Sequence, residues 1–138
     1  MRLLKVGAKP FVSAVGVPPK SVIDRLHAAG ILYMNIVGHP KHVHKAYKAG
    51  ADIICAHGGE AEGHTGDIPT SVLVPACADV CKQYKSPLTG IIVVLVATGG
   101  VYDGQSFASA LILGESNVKV GTRFVATSEA GGQEASKK

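Results

Sequence analysis

Aromatic side chains are scarce in this chain: Trp is absent, and Phe and Tyr together make up 5%. A core must therefore be built from Val, Ile, Leu and Ala, which suits parallel strands covered on both faces by helices. Charged residues are also few, at 17% against 46% hydrophobic, which excludes a disordered chain. The net charge of +4 is mild. The densest basic cluster, Lys41, His42, His44, Lys45 and Lys48, falls at helical spacing and reads as a solvated face, so no nucleic-acid partner is expected. No apolar run approaches the roughly 18–20 residues of a membrane span, and the longest, residues 91–97, is strand-sized. Residues 1–5 lack a secretory apolar segment. Cysteine is limited to three, and an odd thiol count without a leader fits a reducing cytoplasm. Cys77 and Cys81 share a helix face but lack a His or Cys partner at ligand spacing, so they read as small buried hydrophobes.

What is present is a repeated strand–helix unit. The chain's 138 residues suffice for one domain with its own core. Pro19 to Gly30 and Pro40 to Gly50 each open with Pro, which suits a first helical turn. Each closes with Gly, which suits the left-handed position past a helix end. Val22, Ile23, Leu26 and Ala29 form one apolar stripe; Val43, Ala46, Tyr47 and Gly50 form another. A third helix is expected over 70–84, with Val72, Leu73, Ala76, Val80 and Cys81 inward. A fourth is capped by Asp103, carries Phe107, Ala110 and Leu111 inward, and stops at Gly114. Strands are expected at 11–15, 33–37, 52–56, 91–97 and 118–120. The alternation implies a parallel α/β fold, with right-handed crossovers placing every strand-to-helix loop on one side. Residues 128–138 form a small, polar tail.

Three of those loops carry chemistry. Residues 58–69 are long for a connection, which usually takes about 4–6 residues. They hold four glycines with Glu60, Glu62, His64 and Asp67. That set can be read as a metal site, as acid–base chemistry by His64, or as an exposed polar loop. Thr98-Gly99-Gly100 leads from a strand into the Asp103-capped helix and reads as a phosphate cradle or as a tight turn. Gly121-Thr122-Arg123 follows the next strand and adds a hydroxyl and a guanidinium. Two successive glycine loops after the last strands match the phosphate site of many (β/α)8 barrels.

The strings FVSAVGVPP, ADIICAHGGEAEGHTGDIPTS, VATGGVYDG and VGTRFVATSEAG, in that order and spacing, resemble the nitronate monooxygenase (2-nitropropane dioxygenase) family, and its fungal-type sequences most closely. The resemblance implies a TIM-type (β/α)8 barrel with FMN at its C-terminal face and oxidation of alkyl nitronates or nitroalkanes by O2. Some relatives of that kind reduce quinones with a nicotinamide cofactor instead. It implies His64 as the catalytic base. It places Glu62 and Gly63 against the flavin through backbone groups. Thr98, Gly99, Gly100, Gly121 and Thr122 would hold the FMN phosphate, with Asn35 near the isoalloxazine. No metal is implied. The chain departs from the family at His57 (commonly Gln), Glu62 (commonly Gly), Gln105-Ser106 (commonly Arg-Gly) and Lys119 (commonly apolar or aromatic).

A (β/α)8 barrel needs about 250 residues. The five expected strands match the fourth to eighth of the family, so residues 1–127 read as a partial FMN-binding barrel. Its sheet cannot close on itself, and two parallel edges stay unpaired. Self-association, a complementary half, or a non-catalytic remnant that at most binds flavin or phosphate are the alternatives.

Overall fold

The structure is a computed structural model that describes residues 7, 9–63 and 66–131. Five strands alternate with helices: β1 Phe11–Ser13, α1 Lys20–Ala28, β2 Tyr33–Val37, α2 Lys41–Ala49, β3 Ile53–His57, α3 Thr70–Cys81, β4 Val94–Thr98, α4 Gly104–Ile112, β5 Asn117–Val118 and the short α5 Thr122–Val125. Every pairing is parallel, and the order is β1-β2-β3-β4-β5. Each strand adds beside its predecessor with no reversal. A doubly wound sheet would reverse at its switch point, so this is the winding of a (β/α) barrel. The arc ends at β1 and β5, each paired on one side only among the described residues.

The register divides the sheet into two faces. Ile36, Cys55, Val96 and Asn117 align across four strands, so alternate residues share a side. Tyr33, Val37, Ile54, Ala56, Leu95 and Ala97 pack beneath Ile23, Val43, Ala46, Leu73, Val74 and Cys77 of the helices. The opposite face, the inside of the arc, carries Ile53, Cys55, His57, Val94, Val96 and Thr98. The composition suggested helices over both faces. Among the described residues the helix-packed core lies on one face, because right-handed crossovers that never reverse put every helix on the same side.

The Pro-to-Gly helices form as expected. Gly50 ends α2 at φ 111°, and a Cβ there would lie 3.0 Å from Ile23 Cγ2, so the residue also lets α1 approach. Asp103 caps α4: its Oδ1 accepts from Ser106 N at 2.8 Å, while Ser106 Oγ accepts from Asp103 N at 3.0 Å. Ser106, a departure from the family pattern, thus completes a capping box. Cys77 and Cys81 are buried, and burial pushes both thiols up to about 12.

Three expectations fail locally. β4 begins at Val94, because Ile91 and Ile92 belong to a turn closed by a Lys85–Ile92 antiparallel bridge and are exposed. The third helix stops at Cys81, and Val72 on it is exposed. On α4 only Ala110 is buried, while Phe107 and Leu111 are 40% and 43% exposed. This helix flanks a two-residue edge strand, and no further strand–helix unit covers it among the described residues.

One buried polar knot ties the lower end of the sheet. Asp52 is 2% exposed. Its carboxylate accepts from Tyr33 N (2.9 Å), Ser86 Oγ (2.6 Å) and Leu88 N (3.1 Å). It also bonds His27 Nε2 at 2.9 Å. The knot therefore joins α1, β2 and the turn before β4.

Candidate functional site

Because all strands run parallel, their C-terminal loops gather at one end. The loops after β3, β4 and β5 enclose a cleft of about 800 Å3, lined by His57, Glu60, Ala61, Glu62, Thr98, Gly99, Gly100, Val101, Tyr102, Lys119, Gly121, Thr122, Arg123 and Val125. Six of the expected site residues therefore meet: Glu62, Thr98, Gly99, Gly100, Gly121 and Thr122. Gly63 is exposed and not among the lining residues. His64 lies outside the described residues.

The expectation for Asn35 is overturned. Its side chain points to the helix-packed face, where it accepts from Tyr33 O–H and donates to the Ile36 carbonyl. At 4% exposure it is a satisfied core amide, away from the cleft. Strand alternation decides this: Asn35 shares a side with Ile54, whereas the cleft floor lies on the side of His57 and Thr98.

The long loop is held from within. Gly59 N donates to Ile68 O at 3.0 Å and closes its base. Pro69 precedes α3 without a side-chain cap. Glu60 substitutes for one by accepting from Thr70 N and Thr70 Oγ1, each at 2.8 Å. Burial pushes the Glu60 carboxyl up, but the Thr70 bonds outweigh it and hold it below its ordinary range. Glu60 is thus committed to the helix end, a role that sequence spacing alone did not reveal. Gly58 seals the same corner: a Cβ there would lie 2.8 Å from the Thr70 backbone N, in addition to meeting Thr70 Oγ1. Gly58→Ala should cost about 1–3 kcal/mol through overpacking against backbone. A thermal melt unchanged from the parent would show that the loop yields freely.

The cradle of Gly99 and Gly100 is built by their positive φ, 111° and 70°. Gly99 also has Ala61 N 3.0 Å from where a Cβ would stand, so the two loops touch through it. Gly121 has nothing within 4 Å of that position, which leaves its backbone open to a ligand. Lys119 and Arg123 supply positive charge, and Glu60 and Glu62 negative charge.

His57 and Lys119, read in the sequence only as departures, prove to be cleft residues. Neither His57 ring nitrogen has a hydrogen-bond partner among the described residues, and both are shielded from solvent. Burial first, and the Lys119 charge second, lower the His57 pKa, although the nearby Glu62 backbone draws it upward. The imidazole is therefore neutral at neutral pH, with one nitrogen carrying a proton to donate and the other free to accept.

Volume, glycine backbone and two lining cations suit a phosphate-bearing cofactor. The chain matches the nitronate monooxygenase family model over residues 1–138. It is 38% identical over 112 residues to a hydroxy-methyl-oxo-octahydroindene-carboxyl-CoA dehydrogenase of Rhodococcus jostii, covering 81% of this chain and 29% of that protein. It is 42% identical over 115 residues to a nitronate monooxygenase of Neurospora crassa, covering 80% and 29%. The solved structure of nitroalkane oxidase from Streptomyces ansochromogenes superposes with a TM-score of 0.83 at 29% identity, over 98% of this chain and 39% of that one. The chain thus spans about three-tenths of the length of these curated relatives. Its parallel five-strand arc, strand-end cleft and whole-length match place the chain in the nitronate monooxygenase family.

Proposed function

We propose that this arc forms part of an FMN-dependent enzyme that oxidises alkyl nitronates with O2. The observation that supports it best is the meeting of Thr98, Gly99, Gly100, Gly121 and Thr122 in one cleft of about 800 Å3 that also holds Lys119 and Arg123. The glycine loops would bring backbone N–H groups to the FMN phosphate, and Arg123 would neutralise its charge. Glu62 on the cleft wall, with Gly63 beside it in the loop after β3, would hold the flavin through backbone groups. When bound, the flavin would supply the redox chemistry between the nitronate and O2. His64, on the same loop, acts as the base or holds the nitronate oxygens. For that role its imidazole would need to be neutral.

The two edges of the arc call for a covering partner. Val12, on the inner side of β1, is 40% exposed. A second copy of the chain, or a complementary set of strands, would pair β1 and β5 and enclose the cleft.

The test is a visible absorption spectrum of the purified chain mixed with FMN and passed over a sizing column, followed by oxygen uptake on an alkyl nitronate. The expected result is a flavin band that travels with protein at a size above the monomer, and nitronate-dependent uptake. A folded but colourless protein would establish the remnant reading. A flavin band without uptake, replaced by nicotinamide-dependent quinone reduction, would move the activity to the quinone-reducing relatives.

A further inference from the structure

The inner face of the sheet ends, beneath the cleft, in a row of three polar side chains. His57 pairs in register with Thr98. Val96 pairs with Asn117 and Ala97 with Val118, so the next position opposite Thr98 is Lys119. Lys119 N donates to Ala97 O at 2.7 Å, which continues the ladder. With strands about 4.8 Å apart, His57, Thr98 and Lys119 span about 10 Å on one face. All three line the cleft. The rows below are less polar: Cys55, Val96 and Asn117, then Ile53 and Val94.

Two features of this row lack a full partner among the described residues. The His57 nitrogens are shielded and meet no partner of full hydrogen-bond geometry there, although the Glu62 backbone lies near enough to act on the ring. Leaving a buried polar group unsatisfied costs about 1–3 kcal/mol, so such an imidazole would gain from a ligand that pairs with it. The ion pairs among the described residues are Lys20–Asp24, His27–Asp52 and Lys82–Asp79, which leaves the Lys119 ammonium free among them. Its charge nevertheless reaches both His57 and Cys55. A donor and a free cation on one floor, beside a threonine hydroxyl, match the demands of a small planar oxyanion.

We propose that His57, Thr98 and Lys119 form an oxyanion subsite on the cleft floor, in which Lys119 supplies the charge and the His57 N–H donates to the oxygen. The subsite itself needs no flavin. Its natural occupant rests on the function proposed above and is either the nitro-group oxygens of the substrate or an oxygen edge of the flavin, the phosphate that Thr98 would help hold included.

Nitrate, a planar oxyanion shaped like the nitro group, serves as the probe. The full chain, labelled with 15N and free of FMN, is titrated with nitrate while the His57 ring resonances are followed by NMR, with His39 and His42 as surface controls. A saturable shift confined to His57 is expected. Lys119→Met should weaken it at least tenfold, and Lys119→Arg should restore most of it. Lys119 is exposed, so its replacement should leave the amide spectrum, and hence the fold, intact. No saturable shift, or equal affinity in Lys119→Met, would overturn the subsite. FMN addition then separates the sources. Nitrate that stays bound beside FMN assigns the row to the substrate, and nitrate displaced by FMN assigns it to the flavin edge. Nitrate binding in a chain that never takes up FMN would uphold the subsite and sink the flavoenzyme reading alone.

Discussion

Replacing Asp52 with Ala should destabilise the folded chain by about 3–5 kcal/mol, the loss typical of removing one partner from a buried charged network. The reason lies in what is left behind. Tyr33 N and Leu88 N both donate to this carboxylate, as does the Ser86 hydroxyl, and Ser86 Oγ in turn accepts from Thr89 N at 3.0 Å. Alanine offers no acceptor, and at 2% exposure water has no easy route in. Each stranded donor then carries a desolvation cost of about 1–3 kcal/mol. His27 on α1 loses its link to the sheet as well. Asp52→Asn should cost less, because its amide oxygen can still accept. Urea unfolding of the two variants measures this. A loss under about 1 kcal/mol for Asp52→Ala would mean that the turn over residues 86–90 rearranges to satisfy its own groups.

Glu115→Gln should act in the opposite direction and remove a pH dependence. Glu115 is 7% exposed, and neither carboxyl oxygen has a hydrogen-bond partner among the described residues. Burial pushes its pKa from 4.5 up to about 7, against a downward pull from the Ala97 backbone. Between those two pH values the unfolded chain has released the proton and the folded chain has kept it. Stability therefore falls as pH rises through that window and levels off above about 7. The full penalty is on the order of 3 kcal/mol, from about 1.4 kcal/mol per pH unit. Glutamine carries no charge to desolvate, so the variant should gain most of that stability at pH 8 and little at pH 4. Denaturation midpoints at the two pH values compare the proteins. Parallel pH profiles would show that Glu115 has gained a cationic partner in the assembled protein.

Local features of the sequence announced much of this. Pro19 and Pro40 opened helices that Gly30 and Gly50 closed, and Asp103 capped α4. Those signals act within one or two helical turns, so neighbouring residues carry them. Thr98, Gly99, Gly100, Gly121 and Thr122 were also legible as loop glycines and hydroxyls after strands. Asn35, expected near the isoalloxazine from the family resemblance, misled because the side a strand residue faces depends on register. Glu60 looked like chemistry and is a cap, a role settled by Thr70 ten residues away.

The element types, the parallel winding and the loops that bear chemistry were readable from residue order, because periodicity, caps and turn residues are short-range physics. Which side chains share a floor emerged only in three dimensions. His57, Thr98 and Lys119 come from three separate segments and align solely through inter-strand hydrogen bonds. Asp52 and Ser86 meet across 34 residues. Such contacts depend on strand register and chain closure, which no local pattern encodes.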